Sequence, residues 1–359
     1  MTANHVLDEA YERLHRCGPE FGGDEEGNHG LTNHGPMAAE VMVRRGLDID
    51  VERWLDRYLP RLRELPTPSE RITDDAWGNA LGVGRRIGDW TDYFVRQVAE
   101  QPWRQVLVTW WPRLLPGIAA GSTHGVIRVG HAVRALAAGD ETPAAQAELA
   151  YGLAFWAARA RPLPGLTAPS GTLGADAALR ALPRLPDQSG FIAHRLDRLA
   201  DLRGWPAALA ALRAPLSADD VPARLAELVD AAAVQYLAHG HASPVLLVHT
   251  ATAPNAVLHT LPLLPRELWV RSYGAAWAAS AAVVATYAPR AVPPADVGAV
   301  APSGADPAAE LLDRAAHHAD EHVIKFTDTV VESWERTGDP AALAAAVHAA
   351  ALIDAPRRP

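Results

Sequence analysis

Asp50-Val51-Glu52-Arg53-Trp54-Leu55-Asp56-Arg57-Tyr58-Leu59-Pro60-Arg61-Leu62-Arg63-Glu64-Leu65 has its apolar side chains at Val51, Trp54, Leu55, Tyr58, Leu59 and Leu62. This i, i+3, i+4, i+7 spacing predicts an amphipathic helix. Asp48 or Asp50 is placed to cap it, Pro66 lies just beyond it, and Pro60 inside it predicts a kink or an early stop. The same period recurs along the chain, which predicts helices over 91–99, 144–160, 221–237, 268–287, 308–336 and 340–353. Residues 107–138 also read as helix, broken or kinked by Pro112 and Pro116 and stopped by Gly139. The best strand candidate is 245–249, a short β-branched run after Pro244 that reads equally well as a buried helical turn. Segments 161–190 and 289–307 are rich in Pro, Gly and Ser and read as surface loops. The expected fold is all-α, without a fixed-period repeat.

Composition narrows the function classes. The 359 residues are 49% hydrophobic and 21% charged, which is globular usage. A net charge of −9 argues against a nucleic-acid footprint. One cysteine, Cys17, allows no intrachain disulfide and no four-cysteine zinc site. Residues 1–16 carry Asp8, Glu9 and Glu12 without an apolar core, so no secretory signal is read there. The longest apolar stretch, 273–287, is too short for a membrane span. The expectation is a cytoplasmic protein with no membrane partner. Gly82-Val83-Gly84-Arg85-Arg86-Ile87-Gly88 follows no strand and has the wrong spacing for a dinucleotide loop.

Of the 33 lysines and arginines, one alone is lysine: Lys325. Arginine holds its proton at working pH, whereas a buried lysine can lose it. The 15 histidines are the second unusual feature. Asn33-His34-Gly35-Pro36, preceded by His29, sits where a helix from Met37 would start. His124 and His131 are seven apart, nearly two helical turns, with Arg128 between them on the same face. His249 ends the apolar run from Val245. His318, His322 and Lys325 are spaced i, i+4, i+7 on one predicted helix. His5, His15, His194, His239, His241 and His348 read as surface residues. No short zinc motif is present.

Four motifs together carry a resemblance: Asn33 to Glu40, Ala120 to Val133, His249-Thr250-Ala251-Thr252, and His322-Val323-Ile324-Lys325. In this order, with Trp110-Trp111-Pro112 and the 269–277 segment, they resemble the questin oxidase-like proteins over 7–334. The resemblance implies oxidative ring cleavage of polycyclic aromatic polyketides such as anthraquinones. Some members are NADPH-dependent Baeyer–Villiger-type oxidases. Another resembles a non-haem iron dioxygenase with histidine ligands and a carboxylated lysine. The positions that match here are His34, His124, His249 and Lys325. Fungal members carry a second histidine one turn after the first in the second motif. Arg128 stands there in this chain, and His131 one turn further is the candidate replacement ligand.

A buried lysine amine can add carbon dioxide, and the resulting carbamate is an anionic oxygen ligand. Imidazoles with one such oxygen suit iron. His322 and Arg128 are then candidate catalytic groups, the first to orient Lys325 or the substrate, the second to stabilise oxyanion charge. Trp110, Trp111 and Trp277 are candidates for the wall of a substrate cavity, with ordinary core packing as the alternative. Ligands spread from 34 to 325 favour a single domain, 1–359, with a central histidine-rich cavity. Two other readings stand beside the iron oxygenase: an NADPH-dependent oxidase without tightly held metal, and a non-catalytic polyketide-binding protein.

Overall fold

The computed structural model describes residues 3–20, 32–139, 141–289 and 299–356, so His29 lies outside the described residues. Helices dominate it, as the sequence predicts. None is long and apolar enough to cross a membrane. The chain divides into two compact units, Met1–Gly46 with Asp50–Leu163 and Pro262–Pro265, and Leu47–Ile49 with Pro164–Leu261 and Arg266–Pro359.

The first unit holds α1 (Ala3–His15), α2 (Gly35–Arg44), α3 (Val51–Tyr58), α4 (Ile87–Glu100), α5 (Trp103–Leu114), α6 (His124–Ala137) and α7 (Pro143–Arg159). Its two short strands, β1 (Cys17–Glu20) and β2 (Leu62–Glu64), pair antiparallel. Asp50 caps α3 by accepting the Arg53 N–H at 2.9 Å. The helix stops at Tyr58, where Leu59-Pro60-Arg61 turns the chain into β2. Pro60 thus ends the helix early, one of the two outcomes expected for it.

α7 packs on α4 and α6. Glycine permits the α6–α7 approach, because a Cβ on Gly125 would lie 2.6 Å from Trp156. Residues 107–138 form two helices that part at Pro116, whereas Pro112 lies inside α5 and does not end it. The joint between them is left-handed, with φ of 57° at Gly121, 55° at Ser122 and 64° at Thr123. Such backbone costs non-glycine residues about 1–2 kcal/mol each, so packing must hold it. It sets the first residue of α6 at His124.

The second unit holds α8 (Ala175–Ala181), α9 (Ile192–Asp197), α10 (Trp205–Ala211), α11 (Val221–His239), α12 (Pro244–Leu247), α13 (His249–Thr260), α14 (Trp269–Tyr287), α15 (Pro307–His318), α16 (Glu321–Thr337) and α17 (Pro340–Leu352). α11 is its central element and packs on α8, α13, α14, α16 and α17.

Three expectations are corrected here. Residues 245–249 are helical, with Pro244 opening α12 and α13 starting at His249, so the strand reading fails. The 161–190 segment contains α8 and is not loop throughout. The 308–336 helix is two helices. Ala319 takes φ 69°, and the Asp320 carboxylate caps α16 by accepting the N–H groups of His322 and Val323 at 2.8 and 3.1 Å. His318 therefore ends α15 and does not share a helix with His322 and Lys325.

Candidate metal centre

In the first unit, His34 is the residue just before α2 and His124 is the first of α6. They are 1% and 5% exposed. Their Nε2 atoms stand 2.8 Å apart, with the rings at 79°. The other nitrogen of each ring is committed. His124 Nδ1 donates to the Gly121 carbonyl at 2.7 Å. His34 Nδ1 lies 2.7 Å from Oε1 of Glu20, which is 4% exposed. That oxygen also accepts from the Tyr58 hydroxyl at 2.6 Å, and the hydroxyl accepts the His34 main-chain N–H at 2.6 Å. A carbonyl or a carboxylate oxygen can only accept, so both Nδ1 atoms carry hydrogen. The two Nε2 atoms meet each other at hydrogen-bond distance in a buried site. Imidazole Nε2 with an anchored Nδ1 is the usual form of a metal ligand.

The second unit has its own cluster. His249, 1% exposed, opens α13 and sets Nδ1 3.1 Å from the Leu246 carbonyl. Its ring meets that of His322 at 5.6 Å and 87°. His322, one turn before Lys325 on α16, points Nδ1 at Asp320 (3.5 Å) and Glu321 (3.7 Å). Asp320, Glu321 and His322 are close enough to hold one ion. Burial pushes the Asp320 carboxyl up, but His322 and two main-chain N–H groups outweigh it and hold the group below its ordinary range. Lys325 is 2% exposed. A charge so deeply buried, ammonium or carbamate, needs a compensating partner that a neutral amine does not.

The remaining sequence candidates are engaged elsewhere. His131 does not turn toward His124. Its Nδ1 lies 2.8 Å from Glu40 of α2, which also binds Arg134. Burial works against the Glu40 charge, yet Arg134 and His131 lower its pKa to about 2. Arg128 is clamped by Glu148 through Nε at 2.5 Å and a second nitrogen at 2.8 Å. His15 reaches the same Glu148 at 2.9 Å. Trp110 sits among Trp77, Trp90, Tyr93 and Phe94, with ring centroids 4.8–5.5 Å away. Trp111 meets Trp156 edge-on at 5.4 Å. Trp277 donates Nε1–H to the Leu209 carbonyl at 2.9 Å. Among the surface histidines expected, His239 and His348 are buried instead, at 5% and 9% exposed. His15 is half-buried against Glu148.

A family model described as questin oxidase-like matches residues 52–330. The chain belongs to that family. Membership makes it an oxidase-type enzyme. His124, His249 and Lys325 fall inside the matched span of the questin oxidase-like family, and His34 precedes it. A search of the curated proteins finds no match.

Glu20 and Tyr58 escaped sequence reading. Tyr58 reads as one more apolar-face residue of α3, and Cys17-Gly18-Pro19-Glu20 carries no local signal. Only the β1–β2 pairing brings Glu20 beside the end of α3.

Proposed function

We propose that this questin oxidase-like protein is a non-haem iron-dependent oxygenase that opens a ring of a polycyclic, anthraquinone-like polyketide with dioxygen. The family name supports an oxidase of such substrates. The observation that carries the metal is the buried His34–His124 pair, with the Nε2 atoms converging and both Nδ1 atoms anchored. The proposed ligands are His34, His124, His249 and carboxylated Lys325. His131 is left out because Glu40 holds it, and Arg128 because Glu148 does.

Imidazole-rich donors with one carbamate oxygen fit iron, and bound iron would supply activation of dioxygen. The residues do the rest. Glu20 and the Gly121 carbonyl hold the two rings in one tautomer. Asp320 fixes the first turn of α16 and thereby the places of His322 and Lys325. His322 is proposed to take or return a proton at the phenolic oxygen of the substrate.

The test is elemental analysis of protein purified without chelator or a metal-affinity tag, for wild type, His124→Ala, His131→Ala and Lys325→Ala. About one iron per chain is expected in wild type and His131→Ala, and much less in the other two. Wild type that holds no metal, even after anaerobic iron addition, overturns the iron reading. NADPH consumption with substrate under those conditions would favour the Baeyer–Villiger alternative.

A further inference from the structure

We infer that Glu20 and Tyr58 are positioning residues that lock His34 in the Nδ1–H tautomer and aim its Nε2. The inference deepens the metal reading above and rests on it for its functional meaning. Its structural content concerns this chain's own hydrogen bonds.

The bonds form a closed loop. The His34 main-chain N–H ends on the Tyr58 hydroxyl at 2.6 Å. The Tyr58 hydroxyl donates to Glu20 Oε1 at 2.6 Å. The same oxygen accepts from His34 Nδ1 at 2.7 Å. Backbone and ring of one residue are thus tied through two side chains that are 4% and 2% exposed. Arg61 faces the other Glu20 oxygen at 3.3 Å, and Asn33 lies 3.3 Å from the Tyr58 hydroxyl. Tyr58 has one proton to give, so donation to the charged oxygen at the shorter distance wins. With Oε1 an obligate acceptor, Nδ1 must be the protonated nitrogen. Carboxylate–histidine pairs of this kind orient metal-binding imidazoles, and losing the partner costs about 10- to 100-fold in metal affinity.

The local fold gives the loop its reach. Pro60 stops α3 at Tyr58, and β2 then carries the chain back along β1, at whose end Glu20 lies. A Cβ on Gly35 would come 2.7 Å from the Tyr58 ring, so the residue after His34 must be small.

The experiment uses the full chain labelled with 15N-histidine, metal-free, in wild type, Glu20→Ala, Glu20→Gln and Tyr58→Phe. Long-range 1H–15N spectra read which ring nitrogen of His34 carries hydrogen, with His34→Gln assigning the signal. Wild type and Glu20→Gln should show a protonated Nδ1, since the amide oxygen can still accept. Glu20→Ala should show mixed tautomers. Anaerobic titration with Fe(II) should then give about 10- to 100-fold weaker binding in Glu20→Ala, partial recovery in Glu20→Gln, and an intermediate loss in Tyr58→Phe. Far-UV circular dichroism of each variant separates a local effect from misfolding. A bare Nδ1 in wild type overturns the inference. So does Glu20→Ala with an unchanged tautomer, or with wild-type Fe(II) affinity. If wild type binds no Fe(II) but its tautomer depends on Glu20, the positioning stands and the metal reading fails.

Discussion

At the residue scale, the buried charges are the points of greatest consequence. Arg128 and Glu148 are 4% and 1% exposed and joined by two hydrogen bonds. Burial opposes both charges, but each partner outweighs it, so Arg128 is pushed up and Glu148 down. Removing Arg128 leaves the buried Glu148 with His15 alone, and removing Glu148 takes the carboxylate from the buried Arg128. Arg128→Met should cost about 3–5 kcal/mol in urea unfolding, and the double variant with Glu148→Leu should recover much of it. A role for Arg128 at the reacting atoms would instead lower activity with stability intact. Spacing in sequence could not reveal this pair. It puts Arg128 and His131 on the face of His124, yet the partners that claim them, Glu148 and Glu40, lie on other helices. The burial of His239 and His348 is hidden in the sequence for the same reason, because neighbouring residues carry no record of which helices will cover them.

At the element scale, helices with an unbroken apolar period were legible to within a few residues. α11, α14 and α17 fall almost where the pattern puts them. The break between α15 and α16 was not legible, because the apolar period runs across it. What interrupts the backbone is Asp320, a capping side chain that competes for main-chain N–H groups. Two outcomes follow for stability. Ala319→Gly should raise it by up to about 1 kcal/mol, since Ala319 holds φ 69° without a glycine's freedom. Asp320→Ala should lower it by about 0.5–2 kcal/mol. Thermal melts read both. The run at 245–249 failed differently. Four apolar residues in a row, of which Leu247 and Val248 are buried, have no period to read, and only Pro244 at a helix start favours the helix that forms.

At the scale of the whole molecule, pH acts through groups whose charge differs between folded and unfolded chain. Burial, helped by Arg184 and His241, lowers the His239 pKa to about 4. The folded protein refuses a proton that the unfolded chain accepts below its ordinary value of 6.5. Stability from this group is full above that value and declines as the pH falls toward about 4, by at most about 1.4 kcal/mol per pH unit. His239→Gln should flatten this part of the profile of melting temperature against pH. Glu40 has its own lower window, starting near its ordinary 4.5 and ending near 2, where its pairing with Arg134 and His131 is lost. A lysine count of one has a different consequence. Lys325 is enclosed in α16, so a lysine-specific protease has a single peptide bond to cut and cannot reach it in the folded chain. Cleavage yields two fragments only when α16 opens, and its rate counts those openings directly. The protein carries its own label-free clock for unfolding.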